Sequence, residues 1–382
     1  MKYNKLFNVL VMVPLVAVLI WGCSSGSGGS NTGILSVGLT DASTDQYQAV
    51  YVTVSEIQVH QSADGEETEE GWVTVGTPNA TYNLLDLVNG VREPVGLSDL
   101  DTGHYTQMRL IVGENPDSTI NLLSQPHPFA NYVIDLEGDL HELKVPSGMQ
   151  SGIKIVQGFE INVNETTELV LDFNASASVV VAGNSGQYLL KPTIQMLDTH
   201  EAAIISGDVT QSSEVLTGAT VSAQIFDDMA VDAEDRVTVQ AATLSDDAGH
   251  YSLFLSPGTY NLVFYKEGFQ AFVAKITVVA GDSVTQDATL DAATTGTLLL
   301  TSNISDTDSE AHATTSFRRN TTVDDVNVEI ELFALNIADG GDGLITLPTG
   351  DVVVVTSSFE ETTQSITVVI DADTQTVLNV SL

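Results

Sequence analysis

From Gly33 onward the apolar residues recur with period two, and this pattern confines the chain to β-structure. Val50, Val52 and Val54 alternate with Tyr51, Thr53 and Ser55. The phase then slips so that Ile57 and Val59 carry the apolar face, which predicts a β-bulge. Met108, Leu110 and Val112 alternate in the same way, as do Leu169, Leu171 and Phe173. Thr, Val, Ile and Tyr fill these runs, and Gly, Asn, Asp and Pro separate them. Apart from a short turn predicted near Leu84-Leu85-Asp86-Leu87, no long window carries a helical period. The expected fold class is all-β, in consecutive β-sandwich domains. A hydrophobic content of 43% is ample for their cores.

The amino terminus reads as an export signal. Lys2 and Lys5 precede an apolar run from Leu6 to Ile20, shorter than the roughly 20 residues of a membrane span. It ends in Ile20-Trp21-Gly22-Cys23, which resembles the lipobox of bacterial lipoproteins, with Trp21 an unusual occupant. The resemblance implies cleavage after residue 22, lipidation of Cys23 and attachment to a membrane through that lipid. Cys23 is the only cysteine, so no disulfide can form within the chain. Residues 1–22 are thus expected to be a lipoprotein signal peptide and 23–32 a flexible Ser/Gly tether. Ser24 resembles the sorting pattern for the outer membrane, which places the chain in the cell envelope, on the periplasmic side or the cell surface.

Charge narrows the partners. With 51 Asp+Glu against 12 Lys+Arg the net charge is −39, which repels nucleic acid and anionic head groups and attracts cations. No nucleic-acid partner is expected. Adaptation to a saline medium accounts for such acidity as well.

Two small-residue segments, Asp198–Ala202 and Ala292–Gly296, divide the chain. The expected domains are 33–198, 203–291 and 295–382. The last two look like a divergent tandem duplication. Pro257-Gly258-Thr259 and Pro348-Thr349-Gly350 each open a strand, with equal spacing from Gly258 to Leu290 and from Gly350 to Leu382. Upstream, Ala219–Ala223 is similar to Val326–Ile330.

The middle segment resembles the carboxypeptidase regulatory-like domain, a prealbumin-type β-sandwich. Ile205-Ser206-Gly207-Asp208-Val209, Asp246-Asp247-Ala248-Gly249-His250-Tyr251, Pro257-Gly258-Thr259-Tyr260 and Lys266-Glu267-Gly268-Phe269 carry the likeness. The resemblance implies an accessory module without catalysis, and the third domain is expected to be a second, divergent copy. The first segment resembles the bacterial lipoprotein domain known as domain-of-unknown-function family 4382. It does so through Gly33–Ala42, Tyr82–Leu87, Gly103–Leu110, Leu171-Asp172-Phe173 and Tyr188–Pro192. That family brings no known activity.

Chemistry-bearing motifs are sparse. The sequence has no Gly-x-Ser-x-Gly, no His-Glu-x-x-His, no Cys-x-x-Cys and no phosphate-binding glycine loop, so no catalytic residue is nominated and no enzyme is expected. Seven histidines are scattered without ligand spacing, His104 beside Tyr105 being the most suggestive. Asp41, Asp86 and Asp172 lie at or inside strands and could converge on Ca²⁺, the one cofactor considered. The alternative is that each accepts hydrogen bonds from turn amides. Asp339–Gly343 and Asp306–Glu310 are acidic loops without EF-hand spacing. Trp72, Tyr260, Tyr265 and Phe269 could form a sugar platform, but core packing explains them equally well. The expected function is a non-catalytic envelope lipoprotein acting as a binding or adhesion module, with an envelope protein or polysaccharide as ligand. A structural or assembly component of the outer membrane is the alternative, ahead of a metal-dependent hydrolase.

Overall fold

The computed structural model describes residues 31–42, 46–61, 71–145, 152–182, 187–304, 312–338, 340–358 and 362–382. Cys23, the signal segment, most of the tether and the loops 306–310 and 339 lie outside them. No helix among the described residues is long and apolar enough to cross a membrane.

The first domain opens with β1 (Thr32–Ala42), β2 (Ala49–His60), β3 (Trp72–Gly76), β4 (Ala80–Asn83) and β5 (Glu93–Asp101). It continues through β6 (Gly103–Tyr105), β7 (Gln107–Val112), β8 (Tyr132–Ile134), β9 (Leu140–Lys144), β10 (Ile153–Ile155) and β11 (Phe159–Ile161). It closes with β12 (Thr166–Asn174), β13 (Val179–Ala182), β14 (Gln187–Leu190) and β15 (Ile194–Asp198). The second domain holds β16 (Ala203–Gln211), β17 (Glu214–Val215), β18 (Thr220–Phe226), β19 (Val237–Leu244) and β20 (His250–Leu255). Its last strands are β21 (Gly258–Tyr265), β22 (Phe272–Val278), β23 (Ser283–Thr285) and β24 (Ala288–Thr289). The third holds β25 (Thr295–Asn303), β26 (His312–Val323), β27 (Val326–Ala338), β28 (Asp342–Pro348), β29 (Gly350–Ser357), β30 (Gln364–Ile370) and β31 (Gln375–Ser381).

One topology underlies all three domains. In the second, the sheets run β19-β18-β21-β22 and β20-β16 with β23 and β24 parallel to β16. In the third they run β27-β26-β29-β30 and β28-β25-β31, with β31 again parallel to β25. The first domain repeats this as β4-β2-β7-β10 and β5-β1-β12, β12 being parallel to β1. Its β8–β9 hairpin and β13–β15 are additions to the shared frame. The correspondence extends to single residues: Gly103 pairs with Ile161, Gly258 with Val278 and Gly350 with Ile370. The hydroxyls of Tyr105 and Tyr260 each donate to the carbonyl four residues upstream, Asp101 at 3.1 Å and Ser256 at 2.8 Å. The last two domains thus share one strand order and one register at these positions. The matching of Ala219–Ala223 with Val326–Ile330 is corrected, however. Those residues lie on β18 and β27, and the topological partner of β18 is β26. The long β26–β27 hairpin displaced the similarity by one strand.

A glycine tests this equivalence. Gly33, Ala203 and Gly296 occupy matching positions, pairing with Leu100, Leu255 and Leu347. A Cβ on Gly296 would sit 2.2 Å from the carbonyl oxygen of Asp371, and one on Gly33 2.2 Å from that of Asn162. Backbone cannot swing aside as a side-chain tip can. Gly296→Ala is expected to destabilise the chain by roughly 1–3 kcal/mol, measured as a lowered urea midpoint, although alanine is the natural residue at position 203.

Packing departs from simple alternation where a second layer covers the outer face. Val50, Val52 and Val54 enter the main core, and the predicted bulge appears as register shifts near Val54 and Ile57. Tyr51, on the other face, is buried too, stacked on Tyr132 at 4.7 Å and roofed by the segment before β8. Likewise β21 is buried on both faces. Tyr260, Leu262 and Phe264 fill its own domain, whereas Val263 and Tyr265 enter the core of the third.

The joints between domains are polar as well as apolar. Gln224 forms two strand-like bonds with the backbone of Glu331, its Nε2 donating to the carbonyl at 2.7 Å and its Oε1 accepting from the amide at 2.8 Å. Arg318, buried in the third domain, pairs with Glu329 at 3.2 Å and donates to the carbonyls of Ala233 and Glu234 in the second. Between the first and second domains, Asn89 and Thr243 exchange hydrogen bonds and Arg92 stacks over Phe254.

Candidate functional site

A groove of about 830 Å³ lies where the first domain meets the second. Its walls carry Glu160, Glu165, Asp198 and Glu201 beside His104 and His200, and Ser256 and Pro257 of the second domain close one side. No lysine or arginine is among the described residues lining it. Local structure explains the placement. β11 projects Phe159 and Ile161 into the core, so Glu160 between them must face outward. Its paired position on β6 is His104, whose Nδ1 lies 2.9 Å from the Glu160 carboxylate. The turn after β15 is held by the backbone amide of His200 donating to Asp198 Oδ1 at 2.9 Å. His104 thus belongs to an acidic wall. The sequence places Glu160, Glu165, Asp198 and Glu201 on three separate segments, and only alternation along β11 hinted at an outward carboxylate.

Asp41 and Asp172 lie near each other on adjacent strands, one register step apart and on alternate faces of the sheet, and Asp86 does not join them. Thr40 pairs with Asp172 and Asp41 with Phe173 across the parallel strands β1 and β12. Asp41 is 3% exposed. Its Oδ1 accepts the Ala175 amide at 2.9 Å, and its Oδ2 is buried without a partner. Asp172 Oδ1 is likewise sealed and unpartnered. Burial raises the Asp172 carboxyl to about 7. Burial also raises Asp41 well above the usual carboxylate range, and the charge of Asp172 adds to that. Asp86, itself exposed, ends the 3-10 turn Leu84–Asp86, whose Leu84 is buried, and its charge adds to burial in raising the Tyr51 hydroxyl. Among the described residues no three His, Cys, Asp or Glu side chains form a metal-type group.

The aromatic expectations resolve differently. Tyr260 and Tyr265 are buried, the latter stacked on Phe333 at 5.8 Å across the joint to the third domain. Trp72 is not a core residue. It is half-buried at the loop end of the β2–β3 hairpin, tilted against His60 with the Arg109 guanidinium 4.4 Å above its ring. Strand pairing with His60 sets it on the sheet rim, where a cation–π contact replaces core packing.

The fold is all-β, in consecutive sandwich domains. The model of a domain of unknown function (DUF4382) matches residues 32–192, and that of a carboxypeptidase regulatory-like domain matches residues 204–291. No curated protein matches the chain. Among solved structures it is similar to the Bacillus anthracis TIE protein at 12% identity, covering 92% of this chain and 50% of that one, with a TM-score of 0.19. It therefore spans half of that protein's length. A Streptococcal ancillary pilin is 10% identical over 91% of this chain and 98% of its own, with a TM-score of 0.21. The minor pilin GBS52 of Streptococcus agalactiae is 12% identical over 47% and 94%, with a TM-score of 0.17.

Proposed function

We propose that this chain is a lipid-anchored, non-catalytic module of the cell envelope that binds a cationic segment of an envelope protein. The observation that carries this reading is the acidic groove between the first two domains. Four carboxylates with no lysine or arginine among the described lining residues create a negative potential focused by the concave wall. The anchor at Cys23 and the outer-membrane location rest on the sequence pattern.

Titration calorimetry of the full chain with a lysine-rich decapeptide and its neutral counterpart tests the reading. Saturable binding by the basic peptide alone is expected, weakening steeply with salt. A Glu160→Gln/Glu165→Gln/Glu201→Gln variant should lose at least tenfold in affinity. Equal affinity in that variant would sink the groove as the site.

A protruding apolar tip favours assembly as a second reading. Ile120, Leu122 and Leu123 are exposed by 63%, 55% and 37% on a loop made rigid by Asn121 and by the Leu122 amide donating to Tyr51. Stable cross-linking of an envelope protein through this tip, lost in Leu122→Asp, would support it over the groove.

A further inference from the structure

The loop that carries the apolar tip, from Asp117 to His127, is docked on the first domain through one histidine. Pro126 and Pro128 flank His127 and stiffen the backbone on both sides. Its side chain is buried beside Tyr51 of β2 and Tyr132 of β8, with ring centroids 4.9 and 5.8 Å away. Nδ1 lies 2.8 Å from the Tyr132 hydroxyl, and Nε2 lies 3.0 Å from Thr119 Oγ1.

Proton accounting fixes the state of that ring. Burial alone would raise the Asp117 carboxyl, but hydrogen bonds from Thr119 and from the Thr81 amide hold it below the ordinary range, so it only accepts. The Thr119 hydroxyl donates its one proton to Asp117 Oδ1 at 2.6 Å, and its oxygen therefore accepts from His127 Nε2–H. Nδ1 of the neutral ring is then a lone pair, to which Tyr132 donates. Asn121 Oδ1 accepts the Leu123 and Gln125 amides, which turns the other end of that side chain towards the Tyr132 oxygen. A proton on Nδ1 has no place in this arrangement. The Tyr132 oxygen would face N–H groups of both His127 and Asn121, and its own buried proton would lose its acceptor.

We propose that His127 is an acid-sensitive latch: neutral, it holds the tip of Ile120, Leu122 and Leu123 against Tyr132, and protonated it releases that tip. The tip is tied in through the Leu122 amide, which donates to Tyr51 at 2.7 Å, and Tyr51 is stacked on Tyr132. The turn inside the loop, where the Ser124 amide donates to the Asn121 carbonyl, does not involve the histidine. Burial holds the imidazole below the ordinary histidine value, against the charge of Asp117. The phenols of Tyr51 and Tyr132 face the ring too, but burial raises both and they stay neutral, with Asp86 acting on Tyr51 from beyond. The undocked loop binds a proton that the docked loop does not, so docking is lost as pH falls below the ordinary histidine value. The raised Asp172 carboxyl acts in the opposite sense on global stability, and a local readout separates the two. The latch is independent of any ligand in the acidic groove.

Amide hydrogen exchange of the full chain, expressed as protection relative to the intrinsic rate, is compared at pH 7.5 and pH 5. Protection of Leu122 should fall by roughly tenfold or more, and that of the β18 amides should not change. In His127→Asn, whose side-chain oxygen accepts the Tyr132 hydroxyl without titrating, the fall should vanish. In Tyr132→Phe, Leu122 should be poorly protected at both pH values. No fall in wild type, or an equal fall in His127→Asn, would overturn the proposal. Titration of the wild-type His127 imidazole by NMR is independent of how any variant folds. Its midpoint should lie below the ordinary value and coincide with the loss of Leu122 protection, and a midpoint at or above that value would overturn the proposal as well.

Discussion

Arg318→Ala is expected to cost the protein roughly 3–5 kcal/mol of stability. The guanidinium is 3% exposed and its partner Glu329 6%. Removing it strands the Glu329 carboxylate in a dry joint and leaves the carbonyls of Ala233 and Glu234 without their donors. Glu331, whose carboxyl burial already raises, also loses the nearby positive charge that opposes the rise. The loss should appear as a melting temperature lower by on the order of 10 °C. Arg318→Lys should fall between, since an ammonium cannot span one carboxylate and two carbonyls in a fixed fork. Arg92→Ala is the contrasting control. Its pair with Glu168 is part-exposed, with side-chain exposures of 31% and 45%, and pairs of that kind are worth about 1 kcal/mol or less. Equal losses in the two alanine variants would show that burial does not govern these joints.

Without divalent cations, the chain should lose stability as pH rises from about 4 to about 7. The folded Asp172 carboxyl titrates at about 7, against roughly 3.9 when unfolded. Between those values the native state holds a proton that the unfolded chain has released, so raising pH favours unfolding. The contribution is complete below the unfolded value and gone once pH passes the folded one. A difference of about three units corresponds to roughly 4 kcal/mol. Asp41 and Glu331, both raised by burial, act in the same direction. Glu56, Asp117 and Asp135 are lowered and act oppositely, but at pH values below the ordinary carboxylate range. Urea unfolding of wild type and Asp172→Asn across this window, in chelator at fixed ionic strength, isolates the effect. The variant should be the more stable at pH 8, with its advantage shrinking towards pH 4. Parallel curves would mean that the carboxyl is not perturbed.

Period-two alternation and turn residues determined by themselves that the chain is all-β and built of consecutive sandwich domains. These are local signals: a strand buried on one face writes its burial into every second residue. The kinship of the first domain with the other two is legible only in the strand order. Its inserted β8–β9 hairpin and late strands dilute the spacing, whereas the pairing of Gly103 with Ile161 preserves it. Asp41 and Asp172 stood out in the sequence because each lies beside core residues, and parallel pairing of β1 and β12 sets them one register step apart, on alternate faces. Asp86 looked equivalent but ends a turn facing solvent. The acidic groove and the Arg318 joint both draw residues from more than one domain. Such sites exist only where sheets pack against one another, and no periodicity along one strand records which strand will face it.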